Sequence, residues 1–367
     1  MPLEPPDMAQ VHRLLIVKLS AIGDVVHALP VSAALGQAFP HVELTWLVEE
    51  RAAPMVLGNP FVKEVIVLPM QWRRRRFGLS TVSGFLEIAR RLRKRRFDIS
   101  LDLQGLSKSA LLALASGARR RYCSDWPREI APWVEQPIPR RPESLHIVDQ
   151  LLDVARFLGA AVKEVMFPLA VPPEARAAAD GLLRSVGVEE GQPFAVINPS
   201  DGGGGNKGWN PLRYARLASL IHSTMGLPVV LIGGREDRRI ADIIVREAER
   251  PTADLVGQTD LKQAAAILLR AAVHVAGDTG TAHIAAALGT PVVCIFGRTD
   301  PVRLAPYGQE QYVVHHREQC SPICRRYHDT APINRPQKCL DPPPRCLDKV
   351  CVEEVFEAVR RAVSERL

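Results

Sequence analysis

No stretch of this 367-residue chain approaches the roughly 20 apolar residues that cross a bilayer, which argues against a membrane-spanning helix. The first twelve residues hold three prolines and two acids where a secretory leader would carry basic and apolar regions, so the chain is expected to stay in the cytoplasm. The G-x-x-x-x-G-K-[ST] phosphate loop is missing, which weakens a kinase or GTPase reading. There is no zinc-finger, helix-turn-helix or RNA-binding-sheet signature, and nucleic acid is not expected as a partner. Seven cysteines are present, at Cys123, Cys294, Cys320, Cys324, Cys339, Cys346 and Cys351, but none forms a C-x2-C pair. The C-x3-C start followed by spacings of fifteen, seven and five gives a zinc site recruiting His328 less support than reduced thiols in a loop-rich tail. No short solenoid-type repeat recurs.

What is present describes a globular protein of two α/β domains. Charged residues make up 24% and apolar residues 47%, and the length exceeds a comfortable single core. The net charge of +7 is concentrated in the first half, in Arg73–Arg76, Arg90–Arg96 and Arg119–Arg121. Such clusters suit phosphates or an anionic membrane face, while Val82, Phe85, Leu86, Ala89 and Leu92 at helical spacing would also simply turn a solvated basic face outward. Apolar strand-like runs at Leu14–Val17, Glu43–Val48, Val65–Leu68 and Ile99–Leu103 alternate with helical stretches, which predicts a parallel sheet covered on both faces. After a proline-rich connection over 127–142, helices are expected at Ser144–Leu158 and Glu174–Val186. The pattern then restarts with Phe194–Ile197, Val229–Ile232, Asp254–Val256, Val273–Ala276 and Val292–Phe296. Prolines from Pro322 to Pro344 mark an extended segment before a terminal helix at Val352–Arg366.

Four strand-to-helix turns carry chemistry. In Ile16–Pro30 (I-V-K-L-S-A-I-G-D-V-V-H-A-L-P), Asp24 begins a helix at the carboxyl end of a strand, where open α/β sheets gather ligands. Its carboxylate suits either a general base for a substrate hydroxyl or a helix cap. In G-D-T-G-T-A-H (Gly277–His283), the N–H groups of Thr279, Gly280 and Thr281 at a helix start form an anion site fit for a diphosphate. Asp278 either caps that helix or meets backbone N–H or sugar hydroxyl groups, since direct contact with phosphate would be repulsive. Asn198–Trp209 (N-P-S-D-G-G-G-G-N-K-G-W) offers a freely bending glycine run and Lys207 as a point charge for a leaving phosphate, or else a hinge with an exposed lysine. In Gly233–Asp237 (G-G-R-E-D), Glu236 is placed for ribose hydroxyls or in a solvated loop.

Taken together, K-L-S-A-I-G-D-V-V-H-A-L-P (Lys18–Pro30), L-D-L-Q-G-L-S-K-S-A (Leu101–Ala110), N-K-G-W-N (Asn206–Asn210) and G-D-T-G-T-A-H resemble the family 9 glycosyltransferases, the lipopolysaccharide heptosyltransferases, from about residue 13 onward. The D-L-Q-G-L-x-K-S stretch is most similar to the heptosyltransferase I branch, which adds the first heptose of the inner core. The resemblance implies a GT-B fold, with two Rossmann-like α/β domains whose parallel sheets face across a cleft. An acceptor-binding domain over residues 1–172 would be followed by a donor-binding domain over 173–345 and a helix over 346–367 that returns to the N-terminal domain. It implies inverting transfer from ADP-heptose to a Kdo residue of Kdo-lipid A, without metal or cofactor. Asp24 matches the catalytic base and Lys207 the lysine near the donor phosphates. Glu236, Asp278, Thr279, Gly280, Thr281 and His283 match the donor side. Ser20, Gly23, Gln104 and Lys108 are expected at the acceptor side, and the arginine clusters at the anionic cytoplasmic face of the inner membrane. Alternatives are transfer to a later core heptose and a sugar-nucleotide epimerase of the same architecture. The chain departs from the family pattern at the four glycines before Lys207 and at the insert from Cys320 to Cys351.

Overall fold

The computed structural model describes residues 3–69, 79–200, 208–297, 299–316 and 345–366. The chain divides into two compact units, Met1–Ala170 and Val171–Leu367.

In the first unit, β1 (Arg13–Val17), α1 (Ile22–Ala38), β2 (Glu43–Glu49), β3 (Glu64–Leu68), α2 (Leu79–Lys94), β4 (Ile99–Asp102), α3 (Ser107–Ala115), β5 (Arg120–Cys123), α4 (Ala131–Val134), β6 (Gln136–Pro137) and α5 (Ile147–Phe157) follow in order. The sheet runs β3-β2-β1-β4-β5-β6, with every pairing parallel. Leu14, Leu15, Ile16 and Val17 are all inaccessible, because a central parallel strand is covered on both faces and so reads as an unbroken apolar run. One face packs Leu15, Val17, Leu47 and Ile66 with Leu92 and Leu112 from the helices.

The second unit repeats the plan with α6 (Pro173–Ser185), β7 (Ala195–Asn198), α7 (Pro211–Met225), β8 (Val229–Leu231), α8 (Arg238–Glu247), β9 (Thr252–Asp254), α9 (Leu261–Arg270), β10 (Val273–Gly277), α10 (Gly280–Ala287), β11 (Val292–Phe296), α11 (Pro301–Leu304), β12 (Val313–His315), α12 (Arg345–Lys349) and α13 (Val352–Ser364). Its sheet runs β12-β11-β10-β7-β8-β9, also parallel. Both sheets therefore lay the first strand centrally, the next two to one side and the last three to the other. Strand order reverses between β1 and β4 and again between β7 and β10, and ligands in this architecture gather in the crevice at that point.

Several boundaries differ from expectation for local reasons. The strand expected at Asp254–Val256 ends at Asp254, whose Oδ1 accepts the Val256 N–H (3.0 Å) and turns the chain. The helix expected from Ser144 starts at Ile147, after the His146 imidazole Nδ1 accepts the Val148 N–H (3.1 Å). The apolar stripe of α13, Val352, Val355, Val359 and Ala362, is buried in the second unit's own core with Tyr214, Leu217 and Val275. Trp209 Nε1 and Arg213 both donate to the Val350 carbonyl (3.1 and 2.7 Å), fastening the chain just before α13 to the start of α7. Among the described residues no helix is long and apolar enough to cross a membrane.

Candidate active site

In the first unit the site lies where β1 and β4 end side by side, with Val17 and Asp102 in register. Asp24 is the third residue of α1, half-buried, and its Oδ2 accepts the Ala21 N–H (3.0 Å). The capping role is thus realised by one oxygen, which fixes the carboxylate at the helix start and leaves Oδ1 outside that bond. Gln104 Oε1 accepts the N–H groups of Leu19 (3.1 Å) and Ser20 (3.3 Å), so this side chain braces the β1–α1 loop as well as standing at its edge. Gly23 is half-buried in the first turn of α1. Lys108, in the first turn of α3, donates to Glu49 Oε1 at the end of β2 (2.5 Å). These groups come from three neighbouring strand ends and reach one edge of the sheet.

Beneath that edge lie buried groups that sequence reasoning missed. Asp102 is inaccessible, and burial first of all pushes its carboxyl above the ordinary range. Glu135, 4% exposed, is pushed to about 9 by burial and then by the charge of Asp102. Lys18, also buried, donates to the Leu103 carbonyl (2.8 Å), and its charge favours the ionised form of Asp102. The arginines after β4 prove to be structural in part. Arg120 and Arg121 form β5, and Arg121 donates to the carbonyls of Val134 and Ala118 (both 3.0 Å). Arg91 and Arg95 pair with Glu64 (3.1 and 2.7 Å).

In the second unit the equivalent reversal places the end of β7 beside that of β10, with Asn198 level with Ala276. Thr279 is the N-cap of α10 and carries no side-chain cap bond, so the first-turn amides of Gly280 and Thr281 remain without intrahelical acceptors. Asp278 does not cap this helix. Its Oδ1 meets His283 Nε2 (3.2 Å), with both side chains nearly buried. Thr281 Oγ1 is the hub of a network, contacted by Asn198 Nδ2 (2.9 Å), Thr279 Oγ1 (3.1 Å) and His274 Nε2 (3.1 Å). His274 Nδ1 lies 3.2 Å from the Val196 carbonyl, and burial depresses the imidazole to about 4.

Proton counting orders this network. A carbonyl only accepts, so the neutral His274 carries its proton on Nδ1 and accepts at Nε2. Thr281 must give its single proton to that nitrogen. Asn198 and Thr279 then both donate to Thr281 Oγ1. The Thr279 hydroxyl is left with lone pairs only, and an anion at this turn is met by amide N–H groups.

Glu236 is exposed on a short turn (Arg235–Asp237) after β8. Asp237 Oδ2 accepts the Gly234 N–H (2.8 Å), and a Cβ at Gly233 would sit 2.8 Å from that same oxygen. The two glycines therefore let the acidic turn fold onto the strand end. Lys207, the glycine run, Arg73–Arg76, Cys320, Cys324, Cys339 and His328 lie outside the described residues. Among the described residues no three His, Cys, Asp or Glu side chains converge to hold a metal.

Comparison with known proteins agrees with this layout. The model of glycosyltransferase family 9 (heptosyltransferase) matches residues 85–333. Lipopolysaccharide core heptosyltransferase OpsX of Haemophilus influenzae is 26% identical over 307 residues, 82% of this chain and 83% of that protein. Lipopolysaccharide heptosyltransferase 1 of Escherichia coli K12 is 27% identical over 304 residues, 82% and 92%. Among solved structures, a family 9 glycosyltransferase from Veillonella parvula has a TM-score of 0.79 at 20% identity, covering 96% of this chain and 97% of that one. E. coli heptosyltransferase WaaC with ADP has a TM-score of 0.69 at 23% identity, covering 95% and 99%. At such identities the structural likeness shows the fold, the GT-B arrangement of two α/β units each built on a parallel sheet. With the family model covering more than half of its length, the chain belongs to glycosyltransferase family 9 and is a glycosyltransferase of the heptosyltransferase type.

Proposed function

We propose that this protein transfers L-glycero-D-manno-heptose from ADP-heptose, with inversion, to a Kdo residue of Kdo-lipid A during assembly of the lipopolysaccharide inner core. The observation that carries the reading is the pairing of chemistries at the two strand-order reversals: a carboxylate held by one oxygen in the first unit and an amide-lined helix start in the second. Both relatives described above are lipopolysaccharide heptosyltransferases, the Escherichia coli K12 protein of type 1, and they support the substrate class.

In the proposed reaction Asp24 Oδ1 removes the proton from the acceptor hydroxyl as that oxygen attacks the anomeric carbon of the donor. The bond from that carbon to the diphosphate oxygen breaks on the opposite face, and ADP departs with the electron pair. The α10 amides of Gly280 and Thr281 and the ammonium of Lys207 stabilise the developing negative charge. Asp278, tied to His283, and Glu236 serve donor hydroxyls, while Ser20, Gly23, Gln104 and Lys108 serve the acceptor. No step calls on a metal or cofactor. The remaining basic side chains, among them the exposed Arg90, Lys94 and Arg119, are assigned to the anionic cytoplasmic face of the inner membrane, where each contributes about 1 kcal/mol.

Profiling ADP-heptose consumption against acceptors truncated at one Kdo, two Kdo and one heptose tests the reading. ADP release that requires a Kdo-terminated lipid supports it. Release only with a heptose-terminated acceptor assigns the protein to a later core position, and acceptor-independent change of the sugar assigns it to epimerisation.

A further inference from the structure

We propose that Gln104 and the buried Asp102 and Glu135 carboxyls beneath it form a positioning unit for Asp24, holding the β1–α1 loop in register, and that ionisation of both carboxyls together sets the alkaline limit of turnover. The proposal rests on the reading of Asp24 as base.

The chain of contacts is continuous. Asp102 closes β4 level with Val17, the last residue of β1. Its Oδ1 accepts the N–H groups of Gln104 (2.7 Å) and Gly105 (3.0 Å), and Gly105 takes the left-handed backbone conformation (φ 68°) that this tight turn requires. The turn places the Gln104 side-chain carbonyl on the neighbouring loop, where it accepts from Leu19 and Ser20. The next N–H along, that of Ala21, is the one bound by Asp24. Three consecutive backbone donors are thus fixed, two by Gln104 and one by the base itself. Lys18 adds a second tie between the loops through the Leu103 carbonyl.

The pair beneath must hold a proton. Among the described residues no hydrogen-bond partner reaches Asp102 Oδ2 or either oxygen of Glu135, and the charge of Asp102 bears on Glu135. Three buried carboxyl oxygens without a donor are tolerated when the pair keeps one proton rather than two full charges. The other groups facing the pair are the Ser109 hydroxyl, which favours an ionised Asp102, the Cys123 thiol, which burial pushes up and keeps protonated, and the Arg121 guanidinium, which favours an ionised Glu135. When the proton is lost, two buried anions repel across the turn that holds Gln104. The loop then loosens and Asp24 leaves its attack geometry.

The test uses the full-length protein and measures kcat, donor KM and ADP affinity from pH 6 to 10. Gln104→Met keeps the stem but removes the acceptor; kcat is expected to fall about 10- to 100-fold, with donor KM and ADP affinity within about twofold of wild type. Gln104→Glu, which keeps an accepting oxygen, should recover part of that loss. Glu135→Gln keeps the shape but cannot ionise, so the ratio of kcat at pH 9.5 to kcat at pH 7 should rise above the wild-type ratio. Unchanged kcat in Gln104→Met, or an unchanged ratio in Glu135→Gln, overturns the proposal. If Gln104→Met fails to fold by circular dichroism, the Glu135→Gln ratio decides alone. Asp24→Asn is run alongside: retained turnover there overturns the base assignment and this proposal together, whereas an inactive Asp24→Asn with normal Gln104→Met overturns only the positioning role.

Discussion

The two strand-order reversals share a topology but differ in what lies beneath them. Under the first unit's edge are Lys18, Asp102 and Glu135, three ionisable groups removed from water. Under the second unit's edge the corresponding depth is filled by an imidazole, two hydroxyls and an amide, and burial keeps His274 neutral by holding it near 4. At the second edge the acid of the turn before α10, Asp278, faces His283. The contrast follows from the tasks proposed for them. A place that removes a proton from a hydroxyl needs a carboxylate held still, and the backbone donors of the loop before Asp24 are fixed by Gln104 and by Asp24 itself. A place that receives a diphosphate is better lined with neutral dipoles aimed at the incoming charge, because a fixed anion there would oppose it.

The sharpest way to break this comparison is to remove the charge from the first side alone. Asp24→Asn keeps the size of the side chain but takes away its ability to accept a proton, and kcat is expected to drop by about 10³-fold. Isothermal titration should find ADP affinity unchanged, since the proposed donor groups belong to the other unit. Equal loss of turnover and ADP affinity would make Asp24 a structural residue and dissolve the division of labour. On the second side, Lys207→Ala removes the proposed cation at the leaving diphosphate and is expected to cost about 10²-fold in kcat. Normal donor kinetics in that variant would leave the amides of α10 as the sole stabilisers.

The buried carboxyls give a contrast in stability as well. Glu135 has a folded-state value near 9 against an ordinary 4.5, so the folded protein keeps a proton that the unfolded chain gives up. Its contribution is most favourable below about pH 4.5 and declines as pH rises towards 9, by roughly 1.4 kcal/mol per pH unit for one retained proton. Urea unfolding at pH 6 and pH 8 should show a larger decline for wild type than for Glu135→Gln. His274 works in the opposite pH range. Its lowered value means that the folded state resists protonation, so stability falls as pH drops from about 6.5 towards 4.

Central strands and the turns after them were readable in the sequence, whereas the groups that support the turns were not. Leu14–Val17 and Val292–Phe296 announce themselves because strands covered on both faces must be apolar throughout. Strand β5 was hidden by Arg120 and Arg121, which read as a charge cluster until the fold shows Arg121 bonded to backbone carbonyls. Strand β6 has only two residues, one of them Pro137. Asp24 and Asp278 stand out because an acid in a small-residue turn after a strand is a local pattern. Asp102 and Glu135 are 33 positions apart and Asn198 and Thr281 are 83 apart, so their meeting is a product of sheet order and no local window contains it. Glu135 in particular lay in a proline-rich connection with no periodicity to place it.

The finest distinction concerns two threonines one residue apart from the same glycine. Thr281 receives hydrogen bonds from Asn198 and Thr279 and gives its proton to His274, so Thr281→Val strands a buried imidazole nitrogen and an amide at once. The start of α10 should shift with it, and donor KM is expected to rise about tenfold. Thr279→Val removes only a hydroxyl whose proton already points inward, away from any bound diphosphate, and should change donor KM by no more than about twofold. A larger effect at Thr279 than at Thr281 would mean that the proton order runs the other way, with Thr279 donating to the ligand. The second edge would then owe its hold on the diphosphate to a side-chain hydroxyl, and its contrast with the first would shift from neutral backbone dipoles to a side-chain donor.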